Sequence, residues 1–213
     1  MKLEDFRSPG KEFRGVPFWS WNDRLEDKEL VRQIAEMDEK GWGGFFMHSR
    51  EGLVTPYMTE EWMDRIETCV KEAEKRGMGA WLYDEDKWPS GFAGGIVPAK
   101  SSEYRGKALL MWMSGRLDEV EDAIRIFKCD LEDGRPENLK PVLRGEKEER
   151  GKTYLYFNLF TSAIGEEWYG GYCYIDNLNP EAVEAFIRST YDAYYERVGR
   201  WFGSAVPGIF TDE

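Results

Sequence analysis

Three consecutive acids, Asp84, Glu85 and Asp86, follow the short apolar run Trp81-Leu82-Tyr83 and lead into Lys87-Trp88-Pro89-Ser90-Gly91. Carboxylates accept hydrogen bonds from hydroxyls and carry protons. An adjoining indole stacks on the apolar face of a sugar ring and keeps water from the acids. Taken alone, an acid triplet after a strand reads most simply as a solvated turn. The balance changes because three more apolar runs end in the same manner: Phe18-Trp19-Ser20-Trp21-Asn22, Gly43-Gly44-Phe45-Phe46-Met47 before His48-Ser49-Arg50, and Ile209-Phe210-Thr211 before Asp212-Glu213.

The segments between these runs are the elements that must position them. Leu30, Val31, Ile34 and Met37 repeat at helical spacing within Asp27 to Lys40, and Gly41 stops that helix. Thr59-Glu60-Glu61 is a capping start for a helix ending at Arg76, with Gly77 as its C-terminal stop. Asn179-Pro180-Glu181 opens a third helix reaching about Phe202. Near-continuous apolar strands alternating with helices predict a parallel sheet with a helical cover. The strands of such a sheet point one way, so their C-terminal ends form one rim where sites are built. That rim would hold Trp19, Trp21 and Asn22, then His48 and Arg50, then Asp84, Glu85, Asp86 and Trp88, and finally Asp212 and Glu213.

Each of these residues also has a plainer role. His48 is the only histidine, and a lone histidine after a strand is commonly a hydrogen-bonded structural residue. Arg50 could neutralise the acids and so tune them. One of Trp19, Trp21 and Trp88 is expected in the core. Gly91 to Gly95 lacks the spacing of a phosphate loop and reads as a flexible loop at the pocket mouth.

Between Ala99 and Asn177 the rhythm changes. Lys107–Met113, Ala123–Phe127, Thr153–Phe157 and Gly171–Ile175 read as strands of an antiparallel insertion, and Asp130 to Gly151 as a solvated hairpin or loop. The expected organisation is therefore a first βαβαβ part over 1–98, a β-rich insertion over 99–177, and a helix with a fourth strand over 178–213. The 213 residues, 41% of them hydrophobic, suffice for a sizeable core. A net charge of −12 repels phosphate backbones and anionic lipid, which disfavours nucleic acid and membrane as partners and favours a neutral ligand. The first residues lack the apolar core of a signal peptide, so a cytoplasmic location is expected. Cys69, Cys129 and Cys173 are widely spaced and read as buried thiols. No cofactor is called for; a calcium ion on these oxygens is compatible with their chemistry, but no EF-hand spacing demands one.

The four strand-end motifs together resemble the N-terminal part of the α-L-rhamnosidase-like glycoside hydrolases related to glycoside hydrolase family 106. The resemblance implies a (β/α)8 catalytic barrel, of which this chain would supply the first four strands as a partial TIM barrel, with the antiparallel insertion between strand 3 and helix 3. It implies hydrolysis of an O-glycosidic bond, with an α-L-rhamnoside or related deoxyhexoside as substrate. Glu213, at the end of the fourth strand, would be the general acid, its partner carboxylate coming from a later strand of the barrel or, alternatively, being Glu85. The other rim residues would bind sugar. Half of the barrel is absent from the sequence, which implies self-association, a partner polypeptide completing the site, or an inactive fragment of a longer protein. The rival expectation is a carbohydrate-binding or assembly module that uses the same rim without turnover.

Overall fold

The computed structural model describes residues 3–212 and divides the chain into two compact units: one formed by 1–104 with 163–213, the other by 105–162. In chain order the first unit contains α1 (Leu3–Arg7), β1 (Phe18–Trp21), α2 (Asp27–Glu39), β2 (Gly44–Ser49), α3 (Glu60–Arg76), β3 (Gly79–Tyr83) and α4 (Ile96–Lys100). The second holds β4 (Lys107–Ser114), β5 (Ala123–Glu132), β6 (Arg135–Pro141) and β7 (Thr153–Thr161). The chain then returns to the first unit with α5 (Pro180–Ile187), α6 (Ala193–Val198) and β8 (Ile209–Phe210).

The capping chemistry works as the residue types dictate. The Thr59 hydroxyl accepts from the Trp62 amide at the start of α3, and Gly77 closes the helix in the left-handed region at φ 62°. The Asn179 side chain accepts from the Glu181 amide at the start of α5, with Pro180 just inside. From α5 the backbone continues through a π turn, Arg188–Asp192, into α6 and a 3-10 turn ending at Trp201.

The first unit's sheet has the order β1-β2-β3-β8, every pair parallel. Among the described residues it does not close into a barrel. Its two faces differ sharply. Trp21, Phe45, Met47, Ala80 and Leu82 are buried in one cluster with Leu30 and Ile34 of α2, Trp62, Ile66 and Val70 of α3, and Tyr194 and Val198 of α6. The alternate residues line the opposite face with rings: Phe18 against Phe46 at 5.0 Å, Phe46 against Trp81 at 5.2 Å, and Tyr83 against Phe210 at 5.0 Å between centroids. Phe18 remains 52% exposed on that face.

The second unit is an antiparallel sheet in the order β4-β7-β5-β6. Tyr154, Leu155 and Tyr156 of β7 are buried, and Trp112 stacks on Tyr156 at 4.0 Å. β5 runs well past Phe127, and of the two readings of Asp130 to Gly151, hairpin or loop, the structure has the hairpin, with β6 pairing back on β5. Gly171–Ile175, expected as a strand, instead lies in the first unit as a bridge and irregular chain, with Cys173 and Ile175 buried. Gly170 and Gly171 both adopt positive φ there, which breaks the extended run. Among the described residues, no helix is long and apolar enough to cross a membrane.

Gly44 and Gly79 face each other across β2 and β3, and a Cβ on Gly44 would run into the Gly79 carbonyl. Backbone on a neighbouring strand cannot rotate away as a side chain would. Gly44→Ala should therefore cost about 1–3 kcal/mol by the usual penalty for overpacking, against about 1 kcal/mol for Gly77→Ala at the helix stop. Urea denaturation followed by tryptophan emission measures both, and equal losses would contradict the assignment of the Gly44 contact.

Candidate active site

Near their C-terminal ends β2 and β3 each carry a residue, His48 and Tyr83, whose side chain belongs to the aromatic face. Strand alternation sends Phe46 and His48 to that face from β2, and Trp81 and Tyr83 from β3. His48 stacks flat on Tyr83, with ring centroids 3.8 Å apart and planes 16° from parallel. Glu85 is 1% exposed, and its Oε2 lies 3.8 Å from His48 Nε2. That separation is too long for a hydrogen bond. Among the described residues, neither atom has a hydrogen-bond partner.

The acids on either side of Glu85 are occupied. Asp84 is fully buried, with Oδ1 accepting from the Ser90 hydroxyl and Oδ2 from the Tyr191 phenol, both at 2.6 Å. Asp86 Oδ1 accepts from the Ser49 hydroxyl at 2.6 Å, across a bridge that extends the β2–β3 pairing past the strand ends. These two carboxylates hold the frame. Glu85 Oε1 lies 3.3 Å from Ser90 Oγ, and Oε2 is left without a hydrogen-bond partner among the described residues.

Ser90 is the hub of this arrangement. Besides donating to Asp84, its Oγ accepts from the Asp212 amide at 2.9 Å and lies 3.2 Å from Thr211 Oγ1. The Ser90 amide donates back to the Asp212 carbonyl. The end of β8 is thus fastened to the loop after β3, and Asp212 is brought beside the site. Burial, then the charge of Glu85, then that of Asp212, and an interaction of the phenol with the Glu85 carboxylate, push the Tyr83 phenol up. Burial also pushes up the phenols of Tyr191, where the bond to Asp84 adds to the effect, and of Tyr57 and Tyr194. All four stay protonated through the ordinary pH range, and those of Tyr191 and Tyr194 donate hydrogen bonds.

The residues expected at one rim are therefore only partly together. His48, Glu85 and Asp212 converge, with Asp84 and Asp86 as their supports. Trp21 faces the other way, buried against Trp62 in the helix-side core. Trp19 lies on that same side, its indole donating to Gln33 of α2 at 2.8 Å. Both belong to the packing because strand alternation places residues 19 and 21 on the face opposite His48. Asn22 is exposed. Arg50, expected to neutralise the acids, instead lines a separate cleft with Trp88. Glu213 lies outside the described residues. The Gly91–Gly95 segment is no open loop: Phe92, Ala93 and Gly95 are buried, Phe92 packing with Val97, Ile175 and Phe186. Ser49, Tyr83, Ser90 and Tyr191 escaped the sequence reading, although Ser90 sits within its strongest motif. Among the described residues, no group of three or more His, Cys, Asp or Glu side chains is arranged to hold a metal ion.

Chemically, the site presents a buried carboxylate oxygen and an imidazole nitrogen to a common point. One hydroxyl or water oxygen at ordinary hydrogen-bond distances, roughly 2.8 Å, can reach both. Such a pair can orient a hydroxyl, activate a water, or hold a proton in transfer.

The buried phenols give the fold an alkaline limit. An unfolded tyrosine releases its proton near its ordinary value of 10, whereas these folded phenols hold theirs to higher pH. Stability is thus fully present below about pH 10 and falls as pH rises, by up to ~1.4 kcal/mol per pH unit for each such tyrosine. Tyr191→Phe should cost about 1–3 kcal/mol at pH 7 by leaving Asp84 Oδ2 unsatisfied, and should make the alkaline loss shallower. Urea unfolding at pH 8 and pH 11 checks both effects; an unchanged alkaline slope would contradict the role of Tyr191.

No family model and no curated protein matches this sequence. Among solved structures, a rhamnosidase from Novosphingobium sp. PP1Y aligns with a TM-score of 0.42 and 14% identity, over 76% of this chain and 27% of that one. The chain thus spans about a quarter of that protein's length. The likeness is one of general element arrangement and carries no weight in the chemistry argued above.

Proposed function

We propose that this chain forms part of a glycoside hydrolase, supplying the first four strands of a (β/α)8 barrel and cleaving an O-glycosidic bond with a carboxylate pair. The observation that carries the reading is Glu85, a buried carboxylate with an open oxygen at the C-terminal edge of a parallel sheet, facing an equally open His48 nitrogen. Burying such groups without partners is costly, and a ligand hydroxyl that satisfies both recovers the loss.

In this reading Glu213 protonates the leaving oxygen, while Glu85 either attacks the anomeric carbon or takes a proton from the attacking water. His48 and Asp212 hold ring hydroxyls, and Tyr83 beneath the imidazole fixes its plane. The sugar is an α-L-rhamnoside or related deoxyhexoside, whose apolar carbons suit the ring-lined face of the sheet. The half-exposed Phe18 and the open sheet edges support completion of the site by further strands.

The test is hydrolysis of a panel of aryl glycosides, rhamnoside included, by the chain at concentrations that span any self-association. Glu85→Gln should reduce turnover at least ~100-fold, the lower range for loss of an acid–base group, and Glu213→Gln should do likewise. Turnover unaffected by Glu85→Gln would overturn the assignment. Sugar binding at His48 and Glu85 without turnover would leave a carbohydrate-binding module.

A further inference from the structure

A cleft of about 420 Å³ is lined by Arg50, Glu51, Lys87, Trp88, Glu167 and Trp168. Its size falls in the ~300–1,000 Å³ range of small-ligand sites. We infer that it receives a second, uncharged sugar ring of the substrate, so that the ligand is a di- or oligosaccharide rather than a single glycoside. The inference rests on the proposed carbohydrate site and specifies what that site acts upon.

Two indoles form the walls. Trp88 and Trp168 meet edge to face, with ring centroids 5.9 Å apart and planes at 86°. They remain 37% and 65% exposed, so ring surface is left open to a ligand. The turn that carries Trp168 is held at both ends: the Glu166 amide donates to the Tyr172 carbonyl, the Gly171 amide to the Glu166 carbonyl, and Tyr169 packs on Phe92. Tyr169 faces in while its neighbour Trp168 faces out. A held, exposed indole is a poor use of apolar surface unless something covers it.

The polar groups select the ligand's charge. Lys87 adopts a positive φ of 70°, an uncommon conformation for a residue with a side chain, and its ammonium pairs with Glu51 at 3.0 Å. Arg50 and Glu167 have no side-chain partner among the described residues and bring opposite charges. The lining therefore balances, two groups of each sign. A phosphate, a uronate or an organic cation would meet a like charge, whereas vicinal hydroxyls can accept from a guanidinium and donate to a carboxylate.

Chain connectivity links the cleft to the buried pair. Arg50 is two residues beyond His48, just past the end of β2, and Trp88 three beyond Glu85, past the end of β3. A ring held at Glu85 thus has its glycosidic neighbour near the indoles.

Calorimetric titration of the chain with monosaccharides and matching disaccharides of rhamnose, fucose, galactose and glucose tests this. The preferred disaccharide should bind about tenfold more tightly than its monosaccharide. Trp168→Ala should remove that gain, equivalent to ~1.4 kcal/mol, while leaving monosaccharide binding unchanged, and Trp168→Phe should restore part of it. Glu85→Gln should weaken both ligands. Equal binding of the two ligands, with Trp168→Ala indifferent, would overturn the second-ring site while leaving the carbohydrate reading in place. Failure of every sugar to bind would overturn both. Circular dichroism of the variants confirms that the fold is retained.

Discussion

The Ser90 hydroxyl is the point on which the site's geometry depends. It gives its proton to Asp84 and receives the Asp212 amide, so one side chain fastens the chain after β3 to the end of β8. Asp84 is fixed from its other oxygen by Tyr191, in the turn between α5 and α6, which ties the same knot to the helical layer. Asp86 is held by Ser49 at the end of β2. Two of three consecutive acids are thus consumed in joining strands. The third, Glu85, points by alternation to the opposite side, where it meets His48 and Tyr83. Its availability follows from the occupation of its neighbours.

The parallel register gives this knot its direction. Because β1, β2, β3 and β8 run the same way, their polar ends arrive at one edge, and their alternation sorts residues into a helix-facing set and a ring-lined set. The helix-facing set is conventional packing, closed by Trp62 donating to Tyr194 and Tyr194 donating to the Tyr83 carbonyl. That last bond reaches from α6 through the sheet to the backbone of the site, so the core and the site share a support. The ring-lined set is unusual for a sheet face left half open: it presents aromatic surface leading up to a charged pair, which suits a ligand with both apolar carbons and hydroxyls.

Much of the scaffold was legible in the sequence because it rests on local chemistry. Thr59 and Gly77 bracket α3, Asn179-Pro180 opens α5, and the apolar runs of β1 to β3 are short and bounded by polar residues. The side of the sheet to which each residue turns was less legible. In β1 both faces carry aromatic residues, so Trp19 and Trp21 offer no polar alternation to reveal that they face α2 and α3. The sequence leaves hairpin and loop both open for Asp130 to Gly151 because Arg135–Pro141 lacks an apolar face, its place in the hairpin being set by pairing with β5. The site's supports are tertiary: Ser90 matters through residues more than a hundred positions away, and Tyr191 through Asp84, separations that no local pattern encodes. Glu85 stood out as one of three acids, but its distinction from Asp84 and Asp86 appears only when their partners are known.

His48 is the chain's only histidine, so its ring nitrogens give NMR signals that need no assignment. Titrating the ¹⁵N-labelled protein with methyl glycosides, the rhamnoside first, while following those signals measures directly whether a hydroxyl seats between His48 and Glu85. The account predicts a saturable shift of the imidazole nitrogens that disappears in Glu85→Gln. Imidazole signals unmoved by every glycoside, or a shift that persists without the Glu85 carboxylate, would contradict it.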